Sequence, residues 1–525
     1  MKKFLRIPFL QIGSAVLLFL IATFVLYPFC KYYIDPDSTG YLTIIKRYAD
    51  GQYYEAFNGL WSPLHCWISA LLVYFFNVSV YLSALYVNVG AALIVMVLTY
   101  VLFCKFRTSN WERWLFCLFS AIYWAGFVYF QLVADILGLA IMLLVVLCFL
   151  SERFLSNKWL WLAVIGLGGL SVYAKNYNFY ATVLILAGIL FYHYKSKAIS
   201  LNKCVGIFLK ICIPMLLVAF PMAYFTHLKY GMWAFGLTGA LNKEWRIVGT
   251  QIFRSDVHAL IPPPYPNSPS YWEDPFWVQG EWHGMFSSTK YFFRYLLRLG
   301  FVFTEWMTVI SSISFFYAAT WATVGFMFIT KARALFPKKL HMLIIVAFLY
   351  PIGLWMMHVE ARYIWITLVP MMILGLFLFE ISIKKYLNKG PRIAFLCLFF
   401  STFLIQMAAD IRVMINNGKG EFEMAQAVKE KGIHGAFLCN ESFSNAQSKS
   451  LQTFTYFSGN SIYAYSNPIW TTKELLEDAK RYNIPYYYYF YDGMDSDFQL
   501  LNERNEPYQE VTNGEIKGLL VFRID

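Results

Sequence analysis

Long apolar runs alternate with short polar breaks along this chain, and the runs are too long for core strands or ordinary globular helices. A bilayer-crossing helix needs roughly 20 predominantly apolar residues, fewer inside a bundle, and about eleven segments meet that requirement. The first, 9–29, follows Lys2, Lys3 and Arg6 and lacks a small-residue cleavage pattern. It predicts a retained first helix with a cytoplasmic N-terminus. The run 66–76 cannot cross if Arg6 and Lys105 are both inside and 80–103 does cross, so 63–76 is expected to be an interfacial or re-entrant helix.

Basic residues fall on every second loop: Lys105, Arg107 and Arg113; Arg153 and Lys158; Lys195, Lys197 and Lys203; Lys331, Arg333, Lys338 and Lys339; Lys384, Lys385, Lys389 and Arg392. The preference of Lys and Arg for the inner side makes these loops cytoplasmic. Loop 31–62, the turn at Asp135, loop 227–300 and everything after Ala409 then lie outside. Asp35, Asp37, Asp135, Glu281 and Glu360 are on that outer side, whereas Glu112, Glu152 and Glu380 fall in or beside inner loops. Acids contribute little to topology, so their asymmetry points to chemistry on the outer face.

Composition agrees: 59% of residues are hydrophobic and 14% charged, which excludes a soluble protein of this length and makes membrane lipids its solvent. The net charge of +12 implies no nucleic-acid partner, because the cations sit in short clusters between spans and form no continuous basic face. The nine cysteines include no CxxC pair and read as small apolar residues. They indicate no zinc site or disulfide framework, although Cys30 and Cys66 are both near the outer face and could pair.

From Asn416 the chain changes character. A helix over 420–431, a strand over 435–439, a strand-like 461–465, a helix over 472–482 and strands over 484–491 and 519–524 predict a small α/β domain outside the membrane. Tyr486 to Tyr489 read as a buried strand, with carbohydrate stacking the lesser alternative. The fold class is an α-helical polytopic membrane protein with a small C-terminal α/β soluble domain, divided as 1–415 and 416–525. No internal repeat is visible, which disfavours an alternating-access carrier.

Candidate chemistry gathers at four outer turns. Directly after the first helix come Asp35, Pro36, Asp37, Ser38 and Tyr41, then Gly51 and Trp61-Ser62-Pro63-Leu64-His65. Asp35 or Ser38 could simply cap the next helix. Asp135, in Gln131-Leu-Val-Ala-Asp135, stands between two apolar runs, where an acid is costly unless paired or hydrated. It too could be a cap. Lys175 interrupts an apolar stretch and either snorkels or serves function. Glu360 and Arg362, in His358-Val-Glu-Ala-Arg-Tyr363 ahead of Pro370, could pair with each other. The long outer loop adds Pro262-Pro263-Pro264, Trp272, Trp277, Trp282 and His283, which suit sugar stacking and an interfacial aromatic belt equally.

The order Asp37, Tyr41, Gly51, Pro63-Leu64 after the first helix resembles the GT-C superfamily of membrane glycosyltransferases, in the branch that includes protein O-mannosyltransferases and lipid A aminoarabinose transferases. The Asp135 turn, Lys175 and the Arg362-Tyr363 step are similar to further elements of that family. Two positions depart from it: Ser38 stands where an Asp-Glu pair is common, and Trp61 where a basic residue often precedes Pro-Leu, with His65 a substitute cation.

The resemblance implies a GT-C-like fold and a sugar transfer from a polyprenyl-phosphate donor to a lipid, glycan or protein acceptor at the outer face of the inner (plasma) membrane, inverting the anomeric centre. It implies Asp37 as base, Asp135 and Asp35 beside it, Lys175 and Arg362 as phosphate clamps, and Glu360, His65 and Tyr41 among substrate contacts. No cofactor is certain from it, and a divalent cation held by the acids stays an open alternative. A polysaccharide polymerase or ligase, or a lipid-linked glycan transporter, is the competing reading.

Overall fold

A computed structural model describes residues 2–106, 109–248, 260–275, 287–330, 335–356, 358–382, 386–440, 449–465, 472–491 and 509–524. The membrane part runs through α1 (Lys2–Cys30), α2 (Pro36–Ala49), α3 (Tyr53–Ala56), α4 (Pro63–Phe76), α5 (Val80–Cys104), α6 (Asn110–Phe130), α7 (Asp135–Phe149), α8 (Lys158–Ala174), α9 (Asn176–Lys195) and α10 (Leu201–Tyr230). It continues through α11 (Thr238–Lys243), α12 (Thr289–Ile313), α13 (Phe315–Ile329), α14 (Lys338–Leu349), α15 (Trp365–Ser382), α16 (Lys389–Thr402) and α17 (Leu404–Met414).

Among the described residues six helices are long and apolar enough to cross a membrane, or seven if the α16–α17 pair, bent by 41°, is one span. The protein is a multi-pass membrane protein, but the expected count of about eleven is not reproduced by full-length helices. The shortfall is physical: α4, α7, α8 and α13 are apolar but only 14 to 17 residues long. Asp135 starts α7 and Lys175 ends α8, so charge cuts these helices short on one side. They compensate by burial, since α7 packs against both α5 and α8.

Local chemistry sets the breaks. Pro36 and Pro63 occupy first helical positions, where a missing N–H costs nothing. Asp35 has extended backbone and its carboxylate accepts from the Ser38 amide at 2.9 Å, capping α2. Gly40 lets α2 lie against Trp61, whose indole nitrogen would sit 2.9 Å from a Cβ there. The indole donates instead to the Glu273 carbonyl at 3.1 Å, so Trp61 is a structural wedge.

The C-terminal region carries α18 (Lys419–Glu430), α19 (Lys449–Ser458) and α20 (Thr472–Arg481) with strands β1 (Leu260–Ile261), β2 (Ala436–Cys439), β3 (Ser461–Ile462), β4 (Ala464–Tyr465), β5 (Tyr486–Phe490), β6 (Gln509–Glu510) and β7 (Leu519–Arg523). Five strands form a sheet in the order β3-β2-β5-β7-β6, parallel through β3, β2 and β5 and antiparallel beyond. Tyr487, Tyr488 and Tyr489 are buried in β5, as a central strand requires. The region rests on the turn that presents the acids. Thr453 donates to the Ile34 carbonyl at 2.8 Å and the Asn416 amide to the Phe29 carbonyl at 2.8 Å. β1 and β4 pair the segment between α11 and α12 with the tail.

Cys30 and Cys66 are both buried free thiols; the pairing left open in sequence is not formed, and Cys66 points at the Tyr41 carbonyl.

Candidate active site

The first turns of α2 and α7, the one-residue break between α8 and α9, and the segment before α15 converge on one cavity of about 420 Å³. Asp37, Asp135, Lys175 and Arg362 line it, with Tyr41, Trp61 and Tyr363, and α11 supplies the outer wall through Thr238 and Asn242. Both acids stand in helix first turns, where aligned peptide dipoles favour negative charge. Lys175 has extended backbone and serves as C-cap of α8 and N-cap of α9, so its side chain leaves the bundle wall where neither helix covers it.

Arg362 is the hub. Its Nη2 donates to Asp37 Oδ2 at 2.8 Å, its Nη1 lies 3.5 Å from Asp135 Oδ2, and its Nε donates to Glu360 Oε2 at 2.7 Å. Lys175 Nζ pairs with Asp135 and lies 4.1 Å from the Tyr363 ring centre, over which the Arg362 guanidinium also sits at 5.1 Å. Arg362 is only 11% exposed and Asp37 21%, so these pairs are screened less than surface ion pairs are. Burial pulls the Lys175 ammonium down from the ordinary lysine range against the opposing charge of Asp135. At Glu360 burial pushes upward, yet Arg362 and His358 outweigh it and hold the carboxyl at about 2.

The second layer contains residues that local sequence did not mark. Gln131 accepts from Arg362 Nη1 and donates through Nε2 to Asp35 Oδ2 at 2.8 Å, joining the α2 cap to the guanidinium. Ser38 donates to Asp35 and accepts the Leu132 amide at 2.9 Å, so the departure from an Asp-Glu pair places a hydroxyl bridge between α2 and the Asp135 turn. Gln131 carried one signal, a polar side chain in an outer turn four residues before Asp135. Glu305, from α12, faces His358 and offered no such context.

Not every expected residue reaches the cavity. Asp35 lies behind Asp37, and its carboxyl is pushed up to about 6 by burial first and by the charge of Asp37 second. Glu360 holds Arg362 from the far side. His65, expected as a substitute cation, is fully buried, its Nε2 lies 3.2 Å from Asn88 Oδ1, and its ring meets the Tyr41 ring edge-on. Its direct neighbours are an amide and a phenol ring, and it is not among the residues that line the cavity. Tyr41 lines the cavity, and its hydroxyl accepts the Ser62 amide at 3.3 Å. Trp272 packs against Trp61, while Trp277, Trp282 and His283 lie outside the described residues. Among the described residues no group of three or more His, Cys, Asp or Glu side chains is placed to hold a metal ion.

No family model matches the chain. No curated protein matches it either. Among solved structures it is similar to ArnT from Cupriavidus metallidurans in the apo state, with 13% identity over 98% of this chain and 97% of that one, at a TM-score of 0.55. A second structure of ArnT from that organism, bound to undecaprenyl phosphate, aligns over 98% of both chains with 11% identity and a TM-score of 0.46. The first likeness shows a shared fold along nearly the whole chain, in keeping with the expected α-helical polytopic membrane protein with a small C-terminal α/β region.

Proposed function

We propose that this chain is an inverting membrane glycosyltransferase that takes a sugar from a polyprenyl-phosphate donor at the outer face of the inner membrane. Residues 1–415 are the catalytic domain in this reading and 416–525 an extracytoplasmic domain. The observation that carries it is Arg362 between Asp37 and Asp135, with Lys175 on Asp135, at the wall of one cavity. Two cations beside an acid meet the needs of the reaction: positive charge for a leaving phosphate and a base for an attacking hydroxyl.

The acceptor oxygen forms a bond to the anomeric carbon as the bond from that carbon to the phosphate oxygen breaks, and the electron pair leaves with the phosphate. The hydroxyl proton passes to the Asp37 carboxylate. Arg362, with its planar fork of donors, and Lys175, a compact cation, hold the departing phosphate. Asp135 orients Lys175, and attack from the side opposite the phosphate inverts the centre. An apolar hollow of about 660 Å³ lined by Tyr48, Tyr54, Trp67, Tyr173 and Phe225 offers a surface that suits an isoprenoid chain.

The test is incubation of the purified protein with radiolabelled polyprenyl-phosphate sugars and crude envelope extract. Label transferred to a lipid, glycan or protein acceptor supports the reading and identifies the acceptor. Label that crosses vesicles unchanged instead assigns transport and overturns it.

A further inference from the structure

His358 stands at the cavity wall with its two ring nitrogens facing two different carboxylates. Nδ1 lies 3.3 Å from Glu305 Oε2 of α12, and Nε2 lies 3.2 Å from Glu360 Oε1. A neutral imidazole has one N–H, so one nitrogen would set its lone pair against an anionic oxygen. Only the imidazolium donates to both. Each carboxylate has a second cationic partner: Arg298, two turns before Glu305 on α12, binds it at 2.8 Å, and Arg362 binds Glu360 at 2.7 Å. Charges therefore alternate from Arg298 through Glu305, His358, Glu360 and Arg362 to Asp37 and Asp135, with Lys175 beyond.

We propose that His358, carrying both ring protons, is a positioning residue that fixes Glu360 between itself and Arg362 and so ties the phosphate clamp to α12. The proposal rests on the reading of Arg362 as that clamp. With the proton in place Glu360 is held from two sides, and it turns Nη1 and Nη2 of Arg362 toward the cavity. Without it Glu305 and Glu360 face each other across an uncharged ring that can donate to only one of them. Glu360, whose side chain is 37% exposed, then swings toward water and takes the Arg362 Nε contact with it. Phosphate binding is thereby linked to the second ring proton of His358.

The experiment has two arms. Histidine-selective ¹⁵N labelling observes the eight histidines, and His358 is assigned by the resonance that disappears in His358→Gln. Binding of a polyprenyl phosphate to detergent-solubilised protein is followed across pH for the wild type, His358→Gln and His358→Lys. We expect both ring nitrogens of His358 to carry protons wherever the wild type binds polyprenyl phosphate tightly, and binding to weaken where the resonance reports a neutral ring. His358→Gln should bind about tenfold more weakly with no matching step. His358→Lys, a three-donor cation that titrates later, should restore affinity and move the loss to higher pH. A neutral-tautomer resonance under conditions where the wild type binds polyprenyl phosphate tightly overturns the brace, and so does wild-type affinity in His358→Gln. If the wild type binds no polyprenyl phosphate at any pH, the clamp reading fails, and the brace is decided by the resonance alone.

Discussion

Replacing Asp37 with Asn removes one proton-accepting site and little else. Asp37 accepts one bond, from Arg362 Nη2 at 2.8 Å, while Arg362 keeps Glu360, Asp135 and Gln131. A hydrogen bond to a charged group contributes about 1.5–3 kcal/mol, and the Asn amide oxygen still accepts it, so the fold should lose about 1 kcal/mol. The reaction loses far more. A positioned base contributes about 10²- to 10⁴-fold, equivalent to about 2.7–5.4 kcal/mol of barrier at 1.36 kcal/mol per decade. Turnover of a labelled polyprenyl-phosphate sugar is compared at matched expression, with an unchanged elution profile and melting curve as the folding control. Asp35→Asn is the companion: Asn is an equally good helix cap, and Asp35 lies behind Asp37, so its effect should be milder. Turnover by Asp37→Asn within about threefold of wild type, well short of what a base contributes, would refute the assignment. A null Asp35→Asn beside an active Asp37→Asn would move the base to Asp35.

Lys175→Met should raise the KM for the lipid phosphate about 10- to 100-fold, as expected for one lost charge-assisted contact, with substantial recovery in Lys175→Arg; an unchanged KM removes Lys175 from the clamp. Glu360 is held at about 2, below its unfolded value of about 4.3, so its contribution to stability is present above that value and lost as pH falls toward 2. Glu360→Gln should therefore flatten the acid side of the melting-temperature profile, and an unchanged profile counts against the ion pair. Asp35, raised to about 6, has the opposite sign: its contribution is full below about 3.9 and disappears as pH rises through 6. Thermal unfolding of Asp35→Asn should lack that decline, and a decline equal to wild type would show that another group causes it. Reporters fused at the two ends should place the N-terminus inside and the tail outside, and a cytoplasmic tail would reverse the side assigned to every acid.

Asp135 and Lys175 were legible because each interrupts an apolar stretch, where a polar side chain is expensive and its presence asks for a reason. Asp37 stood out by its place directly after the first helix and Arg362 by the Arg362-Tyr363 step; the four lie in separate segments, and the cavity that unites them is a property of the bundle. Gln131 was missed because a neutral amide carries no such penalty signal; its role depends on Asp35 and Arg362 reaching it from distant segments. His65 was misplaced for the converse reason. Its neighbours in sequence, Pro63-Leu64, suggested the mouth of the site, but its neighbours in space are Asn88 and Tyr41. The tail was read well, down to the strand at Tyr486–Phe490, since a small mixed sheet announces itself by short apolar runs between amphipathic helices. Span counting fared worse, because helices as short as α4 and α7 satisfy hydropathy while their burial partners are set by packing.

The cluster also implies an order of events in the proposed reaction. In this arrangement the cations contact acids: Arg362 holds Asp37, and Lys175 holds Asp135. While Asp37 Oδ2 accepts from Arg362 Nη2, that oxygen is occupied and is not offered to an acceptor hydroxyl. A phosphate that enters and takes Arg362 Nη2 for itself releases Asp37 at the moment a base is needed. Glu360 and Gln131 contact Arg362 through its Nε and Nη1, so the guanidinium has fixed partners while Nη2 changes hands. The exchange of one anion for another at Nη2 avoids exposing an unpaired charge in a site that is largely withdrawn from water. A neutral sugar cannot make this exchange, so Asp37 stays occupied until a phosphate arrives, and the acceptor meets an active base only in the presence of its donor.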